Sequence, residues 1–179
     1  GIQIMSINLL LEDEGEPVVW RGPVLGNVIK QFWSDVIWDS VDYMLLDMPP
    51  GTGDVPLTIY QSLPVDGSVI VTTPQSLVNM VVTKSVRMAE KMDVPVLGLI
   101  ENMSYFEAPD TGAKYEVFGP SHIDEIASKH EMAALAKLPI DPRVTALSDE
   151  GRIEDVPSIW PEELFDSLAE KLKNLVDEA

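Results

Sequence analysis

The sequence predicts a three-layer α/β fold with a mostly parallel sheet. The first observation is a set of short apolar runs, 43–46, 67–73, 94–100 and 135–138, each bounded by turn residues. Such runs read as strands buried on both faces, the habit of parallel sheets. The second is that helical stripes lie between them: Val24, Leu25, Val28, Ile29, Phe32 and Trp33 recur at helical spacing. The third is the stretch 43–54, YMLLDMPPGTGD, in which an apolar run ends in Asp47 and then in a Pro/Gly turn. In open α/β sheets the ligand crevice lies outside the carboxyl ends of the strands. The whole chain, 1–179, reads as a single domain.

Taken in order, residues 2–11 are mostly apolar and read as a strand, and 12–16 as an acidic turn. Trp20, Arg21, Gly22 and Pro23 lead into the first helix. Arg21 is a solvated or structural loop arginine, or a phosphate or subunit contact. Pro49 and Pro50 cannot extend a ladder, so the strand 43–46 must stop. Gly51 and Gly53 permit positive φ and close approach of backbone to a bound group. Asp54 opens a short helix over 55–63, where its charge suits the dipole. A strand over 67–73 brings Thr72 and Gln75 to the ligand edge, with Ser76 as cap of the next helix. That helix, 77–92, carries Leu77, Met80, Val81, Lys84, Met88 and Met92 along its length, with the methionines read as core filler or a dimer face rather than metal ligands.

The strand 94–100 should end at Glu101, leaving Asn102 just past it, where an amide can donate and accept; a turn asparagine fits equally. Residues 104–118 read as a hairpin insertion turning at Asp110-Thr111-Gly112. Ser121 is expected to cap a helix that runs to His130, and both histidines to lie on its surface. The strand 135–138 leads to Pro139 and Asp141, with Asp141 a helix cap before Pro142. Gly151 ends a short helix, 152–160 form a linker-like arm, and 161–177 an amphipathic helix.

Net charge is −18, from 30 acidic and 12 basic residues, a surface that repels nucleic acid and anionic membrane. No apolar run is long enough to span a bilayer, so a cytoplasmic protein is expected. The cysteine count is zero, which excludes thiolate ligation by this chain. His130-Glu131 begins like a zinc-protease motif, but position 134 is alanine.

A strand-end carboxylate beside a glycine turn suits nucleotide phosphate and Mg²⁺, a cation that sheds water reluctantly. The string DMPPGTGD (47–54), followed by VPLTIYQ, GSVIVTTPQ, VPVLGLIENMSYF and LPIDPRV, resembles the Mrp/ApbC family. These are ATP-binding proteins of the MinD/ParA-like deviant-Walker P-loop superfamily, associated with iron–sulfur cluster assembly. The likeness covers residues 1 to about 156. It implies a P-loop NTPase-like fold, ATP and Mg²⁺ as cofactors, a homodimer, iron–sulfur client proteins and slow ATP hydrolysis. Asp47 would be the Walker B aspartate that holds Mg²⁺ through water. Gly51, Gly53 and Asp54 would form switch II, with Asp47 and Asp54 the catalytic pair. Asn102 would read adenine, and Pro139 and Asp141 would line its pocket.

Two departures stand out. No G-x-x-x-x-G-K-[ST] occurs in the 179 residues, so the family's N-terminal strand and phosphate cradle are missing from them. The chain alone is therefore expected to bind ATP poorly. In the hairpin, Ala108 and Thr111 stand where many relatives carry C-x-x-C, so no iron–sulfur ligand is expected there. The competing reading is a non-catalytic dimerisation or scaffold module.

Overall fold

The structure is a computed structural model that describes residues 1–11, 13, 15, 22–75, 78–160 and 162–178. The expectations for Arg21, Ser76, Leu77 and Pro161, and most of the 12–16 turn, fall outside the described residues. The chain forms two compact units, Gly1–Val65 and Asp66–Ala179.

In the first unit, helices α1 (Gly22–Ser34) and α2 (Asp54–Ser62) pack on one another. Gly26 faces Thr58 across this contact, where a methyl group would fit at ordinary van der Waals distance, 3.5 Å from Thr58 Cγ2. Pro56, Ile59 and Leu63 are buried. Gln3 clasps the backbone of Asp39, donating to its carbonyl (3.2 Å) and accepting from its N–H (3.1 Å). Two expected strands are not strands. Residues 2–11 instead contain a 3-10 turn, Ile7–Leu10, begun by Ser6, whose hydroxyl accepts from Asn8 N–H. Residues 43–46 have no regular secondary structure, with Tyr43 67% and Leu45 92% exposed. A strand exists only with a ladder partner, and among the described residues none pairs with either run. Apolar composition alone carries no information about a partner.

The second unit is α/β with a mostly parallel sheet. Strand β1 (Ser68–Thr72) pairs parallel with β2 (Val96–Glu107), and β2 pairs parallel with β4 (Ala134–Ile140). The two-residue β3 (Lys114–Tyr115) returns antiparallel on the far end of β2. Helices α3 (Val78–Lys91) and α4 (Ile123–Lys129) cover one face, burying Val82, Val86, Ile123, Ile126 and Ala127 on Leu99. Of the α3 positions singled out, Met80 and Val81 are exposed and Met88 and Met92 half-buried, while Val82, Val86 and Ala89 form the buried stripe. Both sets have helical spacing, and Val82 and Val86 are the ones that join Leu99 in the core. Gly98 is required by a close approach: a Cβ would meet Ala133 O at 2.5 Å.

Helix α5 (Pro142–Asp149) follows β4, and Gly151 ends its last turn at φ +68. The expected linker over 152–160 is largely a 3-10 helix, Ile153–Ser158, burying Val156. Helix α6 (Glu162–Glu178) packs on β2 and β4. Its half-buried positions are Leu164, Phe165, Leu168, Leu172, Leu175 and Val176, the apolar face read from the sequence. Ser121 does not cap α4. His122 holds the cap position without a side-chain bond, while Ser121 Oγ is buried with no partner among the described residues. His130 is not a plain surface residue either, since its Nε2 is buried.

Candidate functional site

The candidates fall on the two units. In the first, Asp47, Gly51, Gly53 and Asp54 follow one another along the chain. Asp47 is exposed, at the end of a segment without regular secondary structure rather than of a strand. Gly51 has φ +88, which an L side chain rarely adopts, and a Cβ there would touch nothing. The turn thus needs glycine for its backbone and not for space. Gly53 is different: at φ −80 it is the N-cap of α2, and Asp54 sits in the first turn of that helix. The carboxylate placed there complements the helix dipole.

In the second unit the candidates gather at the carboxyl ends of β2 and β4. Strand β2 does not stop before Asn102, as expected, but runs to Glu107. What stops is its pairing with β1, whose last partners are Thr72 and Glu101. Pairing with β4 is interrupted at the same place. Glu101 opposes Lys137 and Tyr105 opposes Pro139, so four steps of β2 match two of β4. Asn102 and Met103 are the surplus, and Met103 has φ +54. Asn102 is half-buried, and its Oδ1 accepts from Met103 N–H at 2.8 Å. The ladder partner of Pro139 is Tyr105, three residues on from Asn102.

Asp141 is the N-cap of α5, accepting from Arg143 N–H (2.9 Å), with Pro142 at the first helical position. Its Oδ2 also meets Arg143 Nη2 at 2.6 Å, and its side chain is 11% exposed. The Arg143 guanidinium, first among the causes, holds the carboxyl below its ordinary value of 3.8, against a smaller upward push from burial. Cap and ion pair together account for this residue's local geometry.

Sequence reasoning missed Glu101 and Ser104. Glu101 is 1% exposed and Ser104 3%, and Ser104 Oγ donates to Glu101 Oε2 at 2.6 Å. The available signal was a carboxylate closing an apolar strand, since glutamate is seldom fully buried without a partner. A cavity of about 510 Å³ opens nearby, lined by Ser104, Tyr105, Lys114, Tyr115, Ser121 and Lys137. Its two lysines are engaged, Lys137 with Asp124 at 2.6 Å and Lys114 with Glu107 at 3.8 Å. None of the nucleotide candidates lines it. In the hairpin, Ala108 and Thr111 serve the turn: Ala108 N–H donates to Ala113 O, and Thr111 Oγ1 accepts from Ala113 N–H. Among the described residues no helix is long and apolar enough to cross a membrane.

A family profile described as ParA, NUBPL iron-transfer P-loop NTPase, matches residues 1–173. The chain belongs to this family. Among its relatives is an iron–sulfur cluster carrier protein of Aquifex aeolicus, 38% identical over 179 residues, covering 99% of this chain and 49% of that protein. The carrier of Methanocaldococcus jannaschii is 44% identical over 152 residues, 84% of this chain and 52% of its own length. A solved nucleotide-binding protein from Archaeoglobus fulgidus, in complex with ADP, is 41% identical with a TM-score of 0.75, covering 87% of this chain and 59% of that one. The chain thus spans about half to three-fifths of the proteins it resembles. The fold expected from the sequence, a P-loop NTPase-like α/β fold, is the fold of this family.

Proposed function

We propose that this chain is the nucleotide-responsive part of an Mrp-type iron–sulfur cluster carrier, in which ATP hydrolysis drives cluster assembly or transfer. The observation that carries this reading is the match of residues 1–173 to an iron-transfer NTPase family, with DMPPGTGD and ENMS intact inside it. The A. fulgidus protein, which binds ADP, supports a nucleotide as ligand.

The residues fit the two ends of that ligand unequally. Asn102 has an amide suited to a purine edge, and Pro139 lies on the neighbouring strand β4. Asp47 supplies one exposed carboxylate, enough for a Mg²⁺ ion held mainly through its own waters. When bound, that ion would neutralise charge on the phosphates. The 179 residues contain no Walker A segment, so no step is assigned to a phosphate cradle. Asp54 and the Gly51 turn would pass the state of the γ-phosphate to a partner subunit, the second copy of a homodimer. The cargo cluster needs ligands from elsewhere, because this chain has no cysteine.

Titration calorimetry tests the reading. The isolated chain should show no micromolar ATP affinity. Joined behind a P-loop segment of the G-x-x-x-x-G-K-[ST] type, it should bind ATP at micromolar concentration and hydrolyse it, and Asp47→Asn should abolish turnover. A folded chimera that ignores ATP would overturn the proposal.

One observation favours a second reading, a dimerisation or scaffold module. Tyr115, Val117 and Phe118 leave apolar surface exposed on and just after the hairpin. Dimers of equal stability with and without nucleotide, measured by light scattering, would favour it.

A further inference from the structure

We infer that Glu101 and Ser104 are positioning residues for Asn102, and that their buried hydrogen bond presents its amide to the base of a nucleotide. This rests on the nucleotide reading proposed above. Between the Glu101–Lys137 and Tyr105–Pro139 pairs, β2 carries two residues more than β4. The surplus must leave the ladder, and Met103 does so at φ +54. A left-handed non-glycine residue is strained and persists only where its surroundings over-determine it. Two hydrogen bonds do so here. Below, Ser104 Oγ donates to Glu101 Oε2 at 2.6 Å, bridging the ends of the bulge within the core. Above, Met103 N–H donates to Asn102 Oδ1 at 2.8 Å.

The consequence is chemical. An asparagine amide has two ends that a flip would exchange. Here the backbone N–H requires an oxygen, so Oδ1 is held at the bulge and Nδ2 keeps its donors for a ligand acceptor such as a purine ring nitrogen. A free turn asparagine would sample many orientations and lose that freedom on binding. The clamp removes part of the loss beforehand. Burying an acidic side chain for one hydroxyl contact among the described residues is unfavourable for stability alone, which agrees with a role beyond packing.

The test is ATP titration of the ¹⁵N-labelled chain, followed by NMR at millimolar ligand. Asn102→Ala should weaken ATP by about three- to tenfold, the worth of one hydrogen bond. Ser104→Ala should cost a similar factor, and the double variant no more than either single change, because both remove the same contact. Glu101→Gln keeps an oxygen to accept from Ser104 and should bind like the parent chain. Should Ser104→Ala not fold, Ser104→Cys, a weaker donor of similar size, should lie between. If Ser104→Ala destabilises the chain and leaves ATP affinity unchanged, or if the two losses multiply, the inference falls and the nucleotide reading stands. If ATP moves no signal near Asn102 in the parent chain, the inference falls, and the nucleotide reading is decided by the chimera.

Discussion

Asp141 shows how one side chain can be assigned twice from sequence and once from structure. As a strand-end carboxylate it suits a ligand, and before Pro142 it suits a helix cap. Its carboxylate accepts from Arg143 N–H and pairs with the Arg143 guanidinium. Replacing it with alanine should cost about 1 kcal/mol of stability, the usual worth of an N-cap. Asp141→Asn retains the cap and loses the charge. The sign of the pH effect follows from the lowered carboxyl. A carboxylate depressed on folding adds stability above the unfolded value, about pH 4, and that stability fades as pH falls through the lower folded value. Chemical denaturation from pH 6 to 2 should therefore show a steeper acid loss for the parent chain than for Asp141→Asn. Parallel curves would reject the pairing with Arg143.

At the scale of elements, α3 separates pattern from placement. Its sequence supports more than one apolar stripe, and the sheet selects Val82, Val86 and Ala89. Val86→Ala should cost about 1.5–3 kcal/mol, the burial of a valine side chain. Met80→Ala should change stability by less than about 0.5 kcal/mol, as surface changes do. Denaturant midpoints of the two variants check this, and equal losses would return the methionine stripe to the core. Helix α6 raised no such ambiguity, because only one face of it is apolar. The strand readings divide by the same reasoning. The runs at 67–73, 94–100 and 135–138 have ladder partners and became β1, β2 and β4. The equally apolar run 43–46 has none among the described residues and stayed unpaired.

For the whole molecule the dominant quantity is a net charge of −18. Like charges repel more in the folded chain than in the expanded one, and salt screens that repulsion over a Debye length of about 8 Å at 0.15 M. Melting temperature should therefore rise between 0.01 and about 0.15 M NaCl. A fall would mean that the ion pairs of Lys137 with Asp124 and Arg152 with Asp155 outweigh the repulsion. The same charge disfavours an anionic ligand wherever no cation is near, in keeping with weak ATP binding by this chain alone. The folded chain comprises two units, Gly1–Val65 and Asp66–Ala179, and the nucleotide candidates are divided between them.

The sequence by itself determined the family, the α-helices, the strands β1, β2 and β4 with the hairpin that returns as β3, and the absence of thiolate ligands. Each of those is written in local periodicity, in turn residues or in composition. Only the tertiary structure decided that the run before Asp47 is unpaired, that Val82 rather than Met80 faces the sheet, and that β2 carries Asn102 on a clamped bulge. Pairing, burial and register are properties of two segments at once. No spacing within one segment records what the other will offer it.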